Sequence, residues 1–517
     1  MSGPARRAGL ALAALAITLP SLAAEPRSAI PWLSQSIELS ASPPPPPRGG
    51  ASTTRGADDT ITVTPLGSVS RDAVGLLPPS ATGFAQALWG PDSAADVRAL
   101  IVAHDDAGVP EAKALFHRLL LAEADPPRGA SDGSSVLVAR IDRLLAIGAL
   151  EEAGALIDRA GPDTPELFRR WFDVGLLLDR AAPPCAALRQ NPSLSPTLPA
   201  RVFCLARGGD WNAAEITLTL GEEVGSIPPD EQALLARFLD PELFEEEEGP
   251  PVPEPLTALD FLMREAVALP RPAGALPLAF LHTDLDAHTP MRSRIDAAER
   301  LSLAGAVGVP VLLDAYRSGE PAASGGLWDR ARAIQALDAA LASSADVGPA
   351  LLAADAALAA RGLRVALAQG YAAEFAQLDP ATLPDPARRS LVELLLLAGS
   401  LPAAQAAAGP TPEPLTAALL AIAGAGPVPD ALTDERLAAA LQGLTADEPA
   451  DDREQQLASM LGAGRQGQAI LAALDIVQSG ANADPPALRA AVLTLRLAGQ
   501  TESARKIALQ ALLAGAG

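Results

Sequence analysis

Aromatic residues make up only 3% of this 517-residue chain, and tyrosine occurs twice. Runs of valine, isoleucine, threonine and aromatics, which suit a pleated half-buried surface, are nearly absent. That scarcity argues against a sandwich or barrel and leaves an all-α fold. Lysine stands only at Lys113 and Lys506, so the basic residues are almost all arginine. With 39 basic against 62 acidic residues, the formal net charge is −23. Such a chain repels phosphate backbones and anionic headgroups, which argues against nucleic acid and membrane surfaces as partners. There is no Walker A loop, no G-x-G-x-x-G following a strand and no H-E-x-x-H. No catalytic residue, cofactor or metal is therefore expected.

Residues 1–23 read as a secretory signal. Arg6 and Arg7 form the charged start, Gly9 to Leu19 the apolar core, and Ser21-Leu22-Ala23 a small-x-small cleavage site after Pro20. Eleven apolar residues are too few to cross a bilayer, which takes about 20. The expectation is export to a bacterial periplasm, with no membrane insertion after cleavage. Residues 24–70 read as a disordered tether, with five prolines from Pro43 to Pro47 and a Gly/Ser/Thr-rich tail. Trp32, Leu33 and Ile37 share one side of a short amphipathic piece in it. They are candidate docking residues, for a partner or for the body of the protein.

The folded body divides into a helical-repeat region over 71–244, a linker over 245–255 and a second helical-repeat region over 256–517. EEEEGPPVPEP supplies the linker: four glutamates and then four prolines in six positions cannot be helix interior. Within the body one skeleton recurs, a glycine that closes a helix and an alanine five residues on, inside the next helix. It appears at Gly148/Ala153, Gly209/Ala214, Gly399/Ala404, Gly464/Ala469 and Gly499/Ala504, with Trp211 following Gly209. Glycine closes a helix at positive φ without a Cβ penalty, and the alanine lets two backbones approach closely. Gly464 and Gly499 lie 35 residues apart, one helix-turn-helix unit. Gly305 makes a degenerate turn, with Pro310 where the alanine would be, and counting it the other spacings are 61, 65 and over 90.

Gly-Asp-Trp-Asn-Ala-Ala from Gly209 to Ala214 resembles the central turn of tetratricopeptide repeats, and the turns at Gly148 and Gly499 are similar. The resemblance covers about a third of the chain and implies an irregular α-solenoid whose groove holds a peptide or partner domain. Over its length the chain also resembles exported alphaproteobacterial proteins of unknown function. The AIPWLSQSI, DAVGLLPPSATG and PELFRRWFDV…RVFCLARGGDW stretches carry this. Some of those proteins are labelled "antifreeze glycopeptide polyprotein". The Ala-Ala-Thr tripeptides such a label requires are absent here, so no ice binding follows.

Cys185 and Cys204, 19 apart, read as a structural disulfide in an oxidising compartment. His282, Asp284, Asp286 and His288 crowd into seven residues, but helical spacing gives them a poor ligand set, and an ordinary loop explains them as well. His104-Asp105-Asp106 reads as a surface helix end. Phe168, Trp171 and Phe172 fit a core stripe at i, i+3, i+4, leaving Arg169 and Arg170 as candidate partner-binding residues. The combined expectation is a non-catalytic periplasmic scaffold for an unidentified envelope protein or peptide. The alternative is an accessory or enzymatic protein acting on envelope polymers.

Overall fold

The structure is a computed structural model that describes Ile30, Trp32, Leu33 and residues 70–513. Short stretches at 131–133, 196, 245–246, 273, 344–345, 430–431 and 479–483 fall outside the description. It is all-α. Among the described residues there is no strand, only two isolated backbone bridges, Leu77 with Ala122 and Ser93 with Arg128.

The chain opens with α1 (Pro79–Thr82), α2 (Ala94–Ala103) and α3 (Pro110–Leu121). A first run follows: α4 (Ser135–Ile147), α5 (Leu150–Ala160), α6 (Pro165–Leu177), α7 (Ala182–Gln190), α8 (Leu198–Arg207), α9 (Trp211–Glu223) and α10 (Pro229–Leu239). Beyond the proline-rich loop come α11 (Ala258–Ala266), a 3-10 segment Leu278–Leu285, α12 (Met291–Ala304), α13 (Val309–Arg317), α14 (Leu327–Ser343), α15 (Val347–Ala359), α16 (Arg364–Gly370) and α17 (Ala372–Phe375). The last run is α18 (Asp385–Ala398), α19 (Leu401–Ala408), α20 (Pro414–Ala423), α21 (Glu435–Thr445), α22 (Asp452–Gly462), α23 (Gln466–Ile476), α24 (Pro485–Leu497) and α25 (Thr501–Leu513). α3, α6, α10 and α24 each begin at a proline, where the missing N–H costs nothing. Ser93 and Thr257 close capping boxes with Asp96 and Asp260.

The five expected turns share one geometry. Their glycines all have φ between +74° and +84°. The following amide reaches back five residues, as in Asp210 N to Leu205 O (3.0 Å) and Gln500 N to Leu495 O (2.8 Å), which satisfies an orphan carbonyl of the first helix. Ala153, Ala214, Ala404, Ala469 and Ala504 are each fully buried. Gly305, Gly362 and Gly424 close helices in the same way, but none has an alanine five residues on. Trp211 opens α9 directly after the Gly209 turn, with about half its surface exposed.

Cys185 of α7 and Cys204 of α8 are joined by a disulfide. Trp32 and Leu33 are buried on the body, with Trp32 edge-on to Phe280 at 5.4 Å, and Ile30 is buried beside them. Trp32 and Leu33 thus lie against the body, one of the two placements expected for them, and a tryptophan seated on a buried phenylalanine removes a large apolar ring from water. Ile37 and the rest of 34–69 lie outside the described residues.

The ends of the array meet. α3 packs on α25 and α23, and α2 on α23. Glu111 N donates to Gln510 Oε1 (2.7 Å), Arg118 Nη2 to Ser503 Oγ (2.6 Å), and Gly467 N to Leu88 O (2.9 Å). A Cβ on Gly467 would lie 2.6 Å from the Trp89 ring, so only glycine permits this approach. In the middle, α11 packs on both α6 and α10, and Leu278–Leu285 touches α4, α6 and α12. The boundary expected at 245–255 therefore does not separate the helices before it from those after it. Its backbone is tied down as well, since Glu247 O accepts from Arg237 (2.9 Å) and Pro250 O from Arg264 (2.9 Å).

Two outcomes follow in denaturant. Ala404→Leu lowers unfolding stability by about 1–3 kcal/mol through overpacking, while Ala406→Leu, at an exposed site of the same helix, leaves it nearly unchanged. Equal effects would contradict close hairpin approach. Replacing Cys185 and Cys204 together by alanine lowers stability by about 3 kcal/mol, as loop closure in the unfolded chain predicts.

Candidate functional site

The proline-rich loop, α10, α11 and the start of α8 enclose a cavity of about 390 Å³. Six prolines line it: Pro199, Pro228, Pro250, Pro251, Pro253 and Pro255. So do four acids, Asp230, Glu231, Glu254 and Asp260, and no lysine or arginine. Prolines offer carbonyl acceptors and no N–H, and ionised carboxylates only accept. The walls are therefore rich in acceptors and poor in donors, apart from the hydroxyls of Thr197, Ser226 and Thr257.

Local helix physics explains why acids converge here. Asp230 and Glu231 occupy the first turn of α10, and Asp260 the first turn of α11, where the helix dipole favours negative charge. Asp260 is held by Thr257, whose Oγ1 donates to Oδ2 at 2.6 Å while Asp260 N donates back at 3.1 Å. Burial raises the Asp260 pKa above the ordinary carboxylate range, against the opposing pull of these bonds and of Arg264. Burial and the neighbouring Asp260 charge push Glu231 up to about 7. Arg264 of α11 and Arg237 of α10 are engaged with the backbone of the loop, at Pro250 O and Glu247 O. Two carboxyls with raised pKa in an acceptor-lined cavity can take up a proton or a donor-rich cation such as an ammonium or guanidinium.

The residues expected to carry function lie elsewhere. Arg170 is not a groove residue. It is 1% exposed and grips Asp142 with two bonds of 2.6 and 2.9 Å, with a third to Glu166 O. A buried guanidinium needs such a fork-to-fork partner. Arg169 is half-buried next to it on α6, and burial lowers its pKa. Phe168 and Phe172 are core; Phe172 meets Phe203 of α8, which stacks on Phe238 of α10. Trp171 is half-buried.

The cluster at 282–288 does not converge. His282 Nε2 faces Gly148 O at 2.6 Å, Asp284 accepts from Arg271, and exposed Asp286 pairs with His288. Among the described residues no group of three or more His, Cys, Asp or Glu could hold a metal ion. His104 is buried, facing Asp475 at 2.6 Å across the seam between the chain ends, so it is no surface helix end. Two strings with familiar spacing sit in helical surroundings. Gly462 to Gly467 reads G-x-G-x-x-G, but it joins α22 to α23 without a strand; Gly129 to Gly133 reads G-x-S-x-G, but a helix precedes it, and its serine lies outside the described residues. Sequence reasoning missed the cavity, although acid–proline alternation at 245–255 and the Pro-Pro-Asp-Glu start of α10 were its local signal.

The raised Glu231 pKa has a definite sign. Between about 4.5 and 7 the unfolded chain ionises this group while the folded chain resists, so stability falls as pH rises through that window. Glu231→Gln removes the effect, and its advantage over the parent in urea midpoint grows from pH 4 to pH 8. A pH-independent difference would contradict the burial of this carboxyl.

Compared with protein-family models, curated proteins and solved structures, the chain matches none.

Proposed function

We propose that this protein is a non-catalytic interaction scaffold of the bacterial periplasm, built from tetratricopeptide-like hairpins. It holds a partner protein or peptide by a basic side chain seated in the acidic cavity. The observation that carries the reading is the cavity wall: four acids, six prolines and no basic residue. A lysine or arginine from outside would supply the missing donors and offset the repulsion between Glu231 and Asp260. The apolar leader at 9–19 supports export, and the acidity of the chain disfavours nucleic acid as the partner.

A second reading, an accessory or enzymatic protein acting on envelope polymers, has one observation on its side. Carboxyls with raised pKa in one cavity are the arrangement a general acid needs. It requires polymer cleavage that disappears in Glu231→Gln.

The scaffold reading is tested by in-cell crosslinking from a photoreactive residue placed at Ser226, with periplasmic release by osmotic shock as the localisation control. A discrete adduct that weakens in the Glu231→Gln/Glu254→Gln double variant is expected. An adduct that persists unchanged in the double variant, or a tagged chain retained in the cytoplasm, would overturn it. Binding of an arginine peptide to the purified chain should also strengthen as pH rises through about 7, because the cation meets an ionised Glu231.

A further inference from the structure

α9 is the outlying edge of the first run, packed on α8 and α10. Its inner face buries Ala214, Leu218 and Gly221. Its outer face carries Ile216 and Leu220, continued by its C-cap residue Val224, and these are exposed by 60%, 60% and 74%. These three are spaced four apart, so they form one stripe along the helix. Scattered exposed apolar residues are ordinary, but three in register on one face are a contact surface.

The charge around the stripe selects its occupant. Glu215, Glu222 and Glu223 are exposed on the same helix, which carries no lysine or arginine. On α10, Asp230 is exposed and the single basic residue, Arg237, is turned inward to Glu247 O. A second copy of the chain would set acid against acid across this face, and an anionic lipid surface would be repelled. The stripe also runs toward the cavity: Val224 stands two residues before Ser226, which lines it.

We infer that the outer face of α9 docks a basic amphipathic helix of the partner, its apolar residues on Ile216, Leu220 and Val224 and its cations over the glutamates. This rests on the scaffold reading and names the kind of partner. The stripe supplies apolar contact, the acidic rim excludes wrong partners, and the cavity takes one cation at the end of the helix.

The test uses the full mature chain and two labelled probes, read by fluorescence anisotropy. One is a short helical peptide with leucines four apart flanked by arginines; the other is an unstructured arginine peptide without leucines. The helical probe is expected to bind, to weaken by about tenfold or more in Ile216→Ser/Leu220→Ser, and to weaken further with salt. Its glutamate-flanked analogue should fail to bind. Undiminished binding in the serine variant, or equal binding of the glutamate analogue, overturns the docking face. A concentration-dependent dimer abolished by the same substitutions also overturns it, since a second copy would then be the occupant. The arginine peptide separates the two levels. If it loses affinity in Glu231→Gln while the helical probe ignores the serine substitutions, the cavity stands and the α9 face falls. If the helical probe behaves as expected while the arginine peptide does not respond to Glu231→Gln, the cavity reading falls by itself.

Discussion

The packing of α3 against α25 is the contact on which the rest of this structure depends. It joins residues nearly four hundred positions apart through Glu111–Gln510 and Arg118–Ser503, with Leu88 and Gly467 closing the neighbouring gap. An open solenoid ends in two half-exposed helices, which are ordinarily covered by polar capping repeats. Here each end caps the other. Leu509, Ala511 and Leu513 of α25 are buried, and α3 packs on that helix as well as on α4. Such long-range closure carries a loop-entropy cost that local hairpins avoid. Buried polar links offset some of it along the way. Glu299, 2% exposed, accepts from Tyr316 (2.8 Å), Arg330 (2.7 Å) and Arg361 (3.0 Å), joining four successive segments with its charge fully partnered.

Closure also decides where function can sit. Among the described residues, the edge helix α9 keeps exposed apolar side chains in register, and the acidic cavity opens where the first run turns into the second. The two features are opposite in character, yet adjacent along the chain. The stripe offers area without direction; the cavity offers direction, because its acceptors and carboxylates require a donor-bearing cation. A partner presenting both an apolar face and a basic side chain would satisfy each, and the acidic rim would reject anionic competitors.

Local features were legible in the sequence, whereas long-range ones were not. A glycine with an alanine five residues on located five turns, because both requirements, positive φ and close approach, act within a dozen residues. Gly362 and Gly424 escaped the same search since Leu367 and Pro429 stand where the alanine would be, and Gly305 showed only as a degenerate turn because of Pro310. The cysteine pair was legible from its even count together with the expected export. Arg170 was misread because its partner, Asp142, lies 28 residues away on another helix. The stretch 245–255 read as a linker, and nothing local announced that Arg237 and Arg264 would hold its carbonyls.

The distance between α3 and α25 in solution tests the closed arrangement most directly. Ala114 and Lys506 are exposed on those helices, and both native cysteines are taken up by the disulfide, so cysteines introduced at the two sites accept spin labels selectively. Packed helices lie about 8–10 Å apart axis to axis, so pulsed dipolar spectroscopy should give a single narrow distribution at the short end of its range. A broad distribution, or one centred at the long end, would mean that the array is open and that its ends do not cap each other.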